Sequence, residues 1–170
     1  MTTKMIYQTI EEYFSQFPDD VETIEVCFNS DHLPDLSRFY KLKILSCHNS
    51  KLVCLPLLPS TLKVLWCDNN QLTSLPLLPS NLKILFCDNN QLTYLPDLPS
   101  TLKQLHCSNN QLTCLPLLPS TLEYLICYNN PLTHLPLLPS TLRIFNCSNN
   151  RLTHLDRHYS RMNEIKCCYN

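Results

Sequence analysis

The chain contains no glycine, and a residue-by-residue reading finds no alanine either. Without glycine there can be no P-loop, no G-x-G-x-x-G dinucleotide turn and no G-x-S-x-G nucleophile elbow, because each needs glycine for its backbone geometry. Charge of either sign is also scarce. Thirteen Lys and Arg face fourteen Asp and Glu, leaving a formal net charge of -1, so no global field draws the chain to nucleic acid or anionic lipid. No apolar run approaches the roughly 18 residues of a membrane span. The opening segment MTTKMIYQTIEEYF has no continuous apolar stretch and carries Glu11 and Glu12, so it does not read as a secretory signal. The expectation is a cytoplasmic protein with no nucleic-acid or membrane partner.

What the chain has is repetition. From about Lys41 to Leu155 it repeats every 20 residues without an insertion: TLKVLWCDNNQLTSLPLLPS from Thr61, NLKILFCDNNQLTYLPDLPS from Asn81, TLKQLHCSNNQLTCLPLLPS from Thr101. A fixed period of about 20 to 29 residues built on L-x-x-L-x-L-x-x-N-x-L is the signature of a leucine-rich repeat solenoid. Strands are expected around Leu45, Leu65, Leu85, Leu105, Leu125 and Phe145. An irregular first strand is expected near 23–26 and a last half-repeat through Ile165. Between strands, Pro56 and Pro59 and their equivalents exclude a helix, because proline fixes φ and removes a backbone donor. The pattern therefore predicts an extended, polyproline-like convex face. Residues 1–20 lie outside the repeat. Met5, Ile6, Ile10, Tyr13, Phe14 and Phe17 fall near helical spacing, and Pro18 ends the pattern, which predicts a capping helix over 4–17. The division expected is 1–20 as an N-terminal helical cap and 21–170 as one continuous solenoid.

The unit L-P-x-L-P-x-x-L-x-x-L-x-C-x-x-N-x-L, over residues 21–170, resembles the bacterial-type leucine-rich repeats. These occur in effectors that bacterial pathogens deliver into host cells and in related arrays of amoeba-infecting giant DNA viruses. The resemblance implies a short right-handed solenoid with a parallel β-sheet on its concave face and protein binding there. Glycine and alanine have GC-rich codons, whereas Asn, Ile and Lys are plentiful here. That composition suits an AT-rich genome and favours the viral branch, and with it action in the host cytoplasm. The chain departs from the family by placing Cys where many members have Val or Leu. It also has no counterpart of the separate C-terminal ubiquitin-ligase domain of some effectors, so that activity is not carried over.

Within the repeat, Cys47, Cys67, Cys87, Cys107, Cys127, Cys147 and Cys167 lie two residues after an inward Leu and share its face. A column of small buried hydrophobes explains them, and unpaired thiols in this number suit a reducing compartment. Asn70, Asn90, Asn110, Asn130 and Asn150, with Asn29 and Asn170 at the ends, read as a ladder of buried amides bonded to neighbouring turns. The residues flanking Leu and Cys point outward. Val64, Trp66, Ile84 and Phe86 then form an apolar patch, with Tyr124, Ile126 and Tyr128 beside it. His106, Asp68 and Asp88 complete the candidate binding face. Exposed aromatics at this density mark interfaces, though β-propensity alone also places them in strands. Lys43, Lys63, Lys83 and Lys103 read as a solvated rim. His134, His154, Asp156 and His158 offer no tetrahedral metal set, and the turn serines have no base beside them. The sequence thus points to a non-catalytic protein-binding module without metal or cofactor. A substrate-targeting subunit for a separate ubiquitin ligase remains open. So does a self-associating structural protein, joined through the C-terminal edge strand as a weak homodimer or through the convex leucines.

Overall fold

The computed structural model describes residues 9–26 and 30–153, and the backbone of 164–166. One short helix, α1 (Ile10–Ser15), is followed by eight strands: β1 (Thr23–Glu25), β2 (Ile44–Ser46), β3 (Val64–Trp66), β4 (Ile84–Phe86), β5 (Gln104–His106), β6 (Tyr124–Ile126), β7 (Ile144–Asn146) and β8 (Glu164–Lys166). They form a single parallel sheet in sequence order. From β2 onward each residue pairs with the one 20 positions ahead, as in Leu65 with Leu85 and Leu85 with Leu105. The fold is a leucine-rich repeat solenoid, with a sheet roughly 34 Å long at about 4.8 Å per strand. Residues 154–163 and 167–170 lie outside the described residues. The expected bare edge after β8 therefore lies there too, as do His154, Asp156, His158, Cys167 and Asn170, and Asn29 lies in the undescribed segment 27–29.

Each strand is only three residues long because both ends are closed by special backbone. At the far end, Asn49, Asn69, Asn89, Asn109, Asn129 and Asn149 all sit at φ between 53° and 55°. This left-handed region favours glycine, and asparagine is one of the few other residues that visits it routinely. In a glycine-free chain, the first Asn of every N-N pair does that work. The second Asn holds the stack together. Asn110 Nδ2 donates toward the carbonyls of Cys87 at 3.0 Å, Cys107 at 3.1 Å and Ser108 at 3.1 Å, while its Oδ1 accepts the Leu92 N–H at 3.0 Å. Asn70, Asn90, Asn130 and Asn150 repeat the same set on their own neighbours. Each amide is the partner of one N–H in the preceding turn, and each Cys carbonyl is shared by two successive asparagines, which lets an irregular bend be buried.

The core is a set of parallel columns. Leu45, Leu65, Leu85, Leu105, Leu125 and Phe145 are fully buried, as are Cys47, Cys67, Cys87, Cys107, Cys127 and Cys147 one step further along the strands. Leu52, Leu72, Leu92, Leu112 and Leu132 close the core from the convex side. That side carries no helix between 51 and 62 or in the equivalent segments, as the paired prolines require.

The helix is shorter than the expected span over 4–17. Thr9 caps it with a reciprocal Thr9–Glu12 box, and it ends at Ser15 because Phe17 N–H turns back to the Phe14 carbonyl at 3.1 Å. Residues 1–8 are not described. Ile10 and Phe14 are buried, and Phe14 meets Tyr13, Phe17 and Phe39 through edge or tilted ring contacts. The Arg38 guanidinium donates to the carbonyls of Phe14 at 2.8 Å and Phe17 at 3.0 Å, which supplies donors and positive charge to the helix C-terminus. The Tyr13 hydroxyl donates to the Glu25 carbonyl and pins the helix to β1.

Candidate protein-binding face

Strand alternation turns one side chain in two away from the core, and register then lines these residues up across the sheet. The column through the last residue of each strand runs Trp66, Phe86, His106, Ile126. Trp66 is 36% exposed, and Phe86, His106 and Ile126 are half-buried. Phe86 and His106 stack, with centroids 4.0 Å apart and planes 23° apart. Trp66 and Phe86 are splayed instead, at 6.5 Å and 43°. In the adjoining column Val64 pairs with Ile84, and Gln104 separates them from Tyr124. The apolar patch and the Tyr124–Ile126–Tyr128 group are thus interrupted in one column and joined in the other through His106. The sequence placed His106 in this column but gave no sign that its ring lies flat on Phe86.

Just beyond the strand ends, Asp68 and Asp88 are half-buried. Asp88 Oδ1 accepts the Ser108 N–H at 2.7 Å, and Asp68 Oδ2 accepts from Asn69 Nδ2 at 2.7 Å. Burial raises the Asp88 carboxyl to about 6, against the pull of its hydrogen bonds to Ser108 and with a smaller push from Asp68. Burial also lowers the pKa of His106, which Asp68 partly opposes, and so favours the uncharged form of the stacked imidazole.

Two residues assigned to the outward columns are not on the surface. Ser46 and Ser108 are buried. Each is a hydroxymethyl between larger register neighbours. Ser46 lies beside Trp66 and shares a 2.8 Å hydrogen bond with His48 Nδ1, while Ser108 lies between Asp88 and Tyr128. Alternation fixes the side of the sheet a residue faces, not the depth at which it ends.

Other groups singled out from the sequence lie elsewhere. The inward thiols of Cys67, Cys87 and Cys107 are raised well above their ordinary range by burial, and Cys47 is pushed to about 12. Cys54 and Cys114 are free and exposed on the far side of the repeat. His134 is exposed and bonded to Thr133. Lys43 pairs with Glu22 and Lys103 with Glu123, which divides the lysine column into local ion pairs. Among the described residues, no helix is long and apolar enough to cross a membrane.

Comparison with known proteins agrees with this architecture. A family model described as leucine-rich repeats, in two copies, matches residues 60–100. Among solved structures, the chain is similar to YopM from Yersinia enterocolitica WA-314, at 34% identity over 88% of this chain and a TM-score of 0.83. It is also similar to the leucine-rich repeat domain of a Shigella effector, at 32% identity over 86% of this chain and a TM-score of 0.75. A third is the functional domain of InlJ from Listeria monocytogenes, which is described as including a cysteine ladder; here the identity is 27% over 86% of this chain, with a TM-score of 0.61. The chain spans 34% of the YopM chain, 65% of the Shigella domain and 39% of the InlJ domain. No curated protein matches it in sequence. The chain therefore carries leucine-rich repeats and is structurally similar to the repeat regions of bacterial effectors.

Proposed function

We propose that the protein is a non-catalytic interaction module that binds a protein partner on the concave sheet, centred on Trp66, Phe86 and His106. The observation that carries this reading is the aromatic column. A tryptophan that leaves about a third of its surface in water, splayed from a phenylalanine in a rigid sheet, gains by being covered. Such residues dominate interface energetics. The solenoid holds them rigidly, so little ordering entropy is lost on binding. Likeness to effector repeat regions supports a target inside a host cell, and makes recruitment of substrates to a separate ubiquitin ligase one form this module could take. The test is a pull-down with intact chain and with the Trp66→Ala and Phe86→Ala variants. Trp66→Ala is expected to weaken partner binding by about 2 kcal/mol while leaving the thermal midpoint nearly unchanged. Equal capture by wild type and both variants would discard the concave face.

A second reading rests on the convex side. Leu57, Leu77, Leu117 and Leu137 are 78% to 90% exposed at equivalent places, with Asp97 in the same row. A stripe of this kind favours self-association. Sedimentation over a wide concentration range tests it, and a strict monomer for a Leu77→Asp/Leu117→Asp variant of a dimerising wild type would place the contact there.

A further inference from the structure

The concave face is polar across its width as well as apolar along its middle. Lysines precede the strands, as at Lys63 and Lys83, and aspartates follow them, at Asp68 and Asp88. The two edges are about 16 Å apart at the rise of a strand. The aromatic column lies beside the acidic edge, because residues 66 and 68, or 86 and 88, share one face two positions apart. That edge thus carries a partly uncovered indole and a phenyl ring in one column and two carboxylates in the next.

Resting on the concave-face reading, we infer that this edge receives an arginine side chain from the partner, its guanidinium laid on Trp66 and Phe86 and its N–H groups donated to Asp68 and Asp88. The chemistry of the residues selects the occupant. A planar cation is attracted to an aromatic face, and guanidinium stacks there better than a compact, strongly hydrated ammonium. Its fork of donors suits carboxylates. Each aspartate has one oxygen engaged by the chain itself, at Ser108 and at Asn69, which fixes the carboxylate before a ligand arrives. Asp88 is half-buried, its charged form is disfavoured by that burial, and it is ion-paired with no described residue, so an incoming cation would compensate its charge. His106, stacked on Phe86, closes one end of the aromatic row.

The probe is a set of three blocked peptides of equal length, alternating Gly with Arg, Lys or Glu, titrated into the intact chain at low salt. The chain has a single tryptophan, so its fluorescence reports on the site directly. The Arg peptide is expected to saturate the Trp66 signal and to bind about tenfold tighter than the Lys peptide, with no saturable signal from the Glu peptide. The Asp68→Asn/Asp88→Asn variant is expected to lose about tenfold of the Arg-peptide affinity, with its thermal midpoint confirming the fold. Equal binding of all three peptides, an unaffected double variant, or no Trp66 response to the Arg peptide would overturn the inference. A partner whose capture depends on Trp66 but not on Asp68 and Asp88 would do the same, yet leave the concave face standing. Loss of the Trp66 dependence itself would remove both.

Discussion

Substituting Asn110 by alanine tests the asparagine ladder directly. The amide accepts the Leu92 N–H and donates toward the carbonyls of Cys87, Cys107 and Ser108, all within 3.1 Å, in a site closed to water. Alanine leaves the Leu92 N–H buried without a partner, while the three carbonyls keep the donations of Asn90, Asn130 and the Asn89 N–H. A buried group left without its partner costs about 1–3 kcal/mol, which sets the expected loss. Domains of this size are held by only about 5–15 kcal/mol. Urea unfolding followed by Trp66 fluorescence and by circular dichroism should show the loss as a lower midpoint at unchanged slope. Asn110→Asp sharpens the test. Its carboxylate would face three carbonyls with no proton to offer, so at pH 7 it should cost more than alanine. Its folded pKa should be raised, and part of the lost stability should return as pH falls and the acid can donate. Asn109→Ala is the control. It removes the side-chain amide that eases left-handed backbone, for less than about 1–2 kcal/mol, without opening the buried network. A loss below about 1 kcal/mol for Asn110→Ala, or one no greater than for Asn109→Ala, would refute the ladder as the brace between turns.

Two further outcomes are expected. Brief alkylation of native protein followed by peptide mass spectrometry should label the exposed Cys54 and Cys114 at least about 100-fold faster than Cys67, Cys87 and Cys107, whose thiolates are disfavoured by burial; equal rates would mean that the thiol column is open. The carboxyl of Asp88 titrates at about 6 in the fold against 3.8 for a free side chain, so the stability associated with its protonated form is fully present below about pH 4 and lost as pH rises through 6. Asp88→Asn should therefore raise the melting temperature at pH 8, by up to about 3 kcal/mol of stability, and should give no gain at pH 4; a pH-independent difference would show that Asp88 is not desolvated.

The fold was legible because one unit is written many times. A single Leu–x–Cys–x–x–Asn string is ambiguous, but the same string at constant spacing admits one stacking, and the sheet register follows from it. The cysteine and asparagine columns were legible for the same reason. Depth and orientation on the outer face were not. Ser46 and Ser108 lie in columns whose other members reach solvent, and they are covered because their neighbours are larger. A small residue between large register partners is the signal that could have found them. The stacking of His106 on Phe86 depends on side-chain rotamers, which periodicity does not encode. The left-handed asparagines could have been found, since a glycine-free chain with tight turns must put some other residue at positive φ, and Asn is the repeated candidate. The helix came out shorter because apolar spacing alone marks its faces, not the point where Phe17 turns back.

The constant register also sets how the chain must assemble. In most domains, contacts span every sequence distance, and closing the longest loops dominates the entropy of folding. Here each strand from β2 on finds its partner 20 residues away and no farther. Loop-closure entropy grows with the logarithm of loop length, so every step of growth carries the same small entropic cost whatever the length of the array. Assembly behaves as a zipper, with a costly first pairing and uniform additions afterwards.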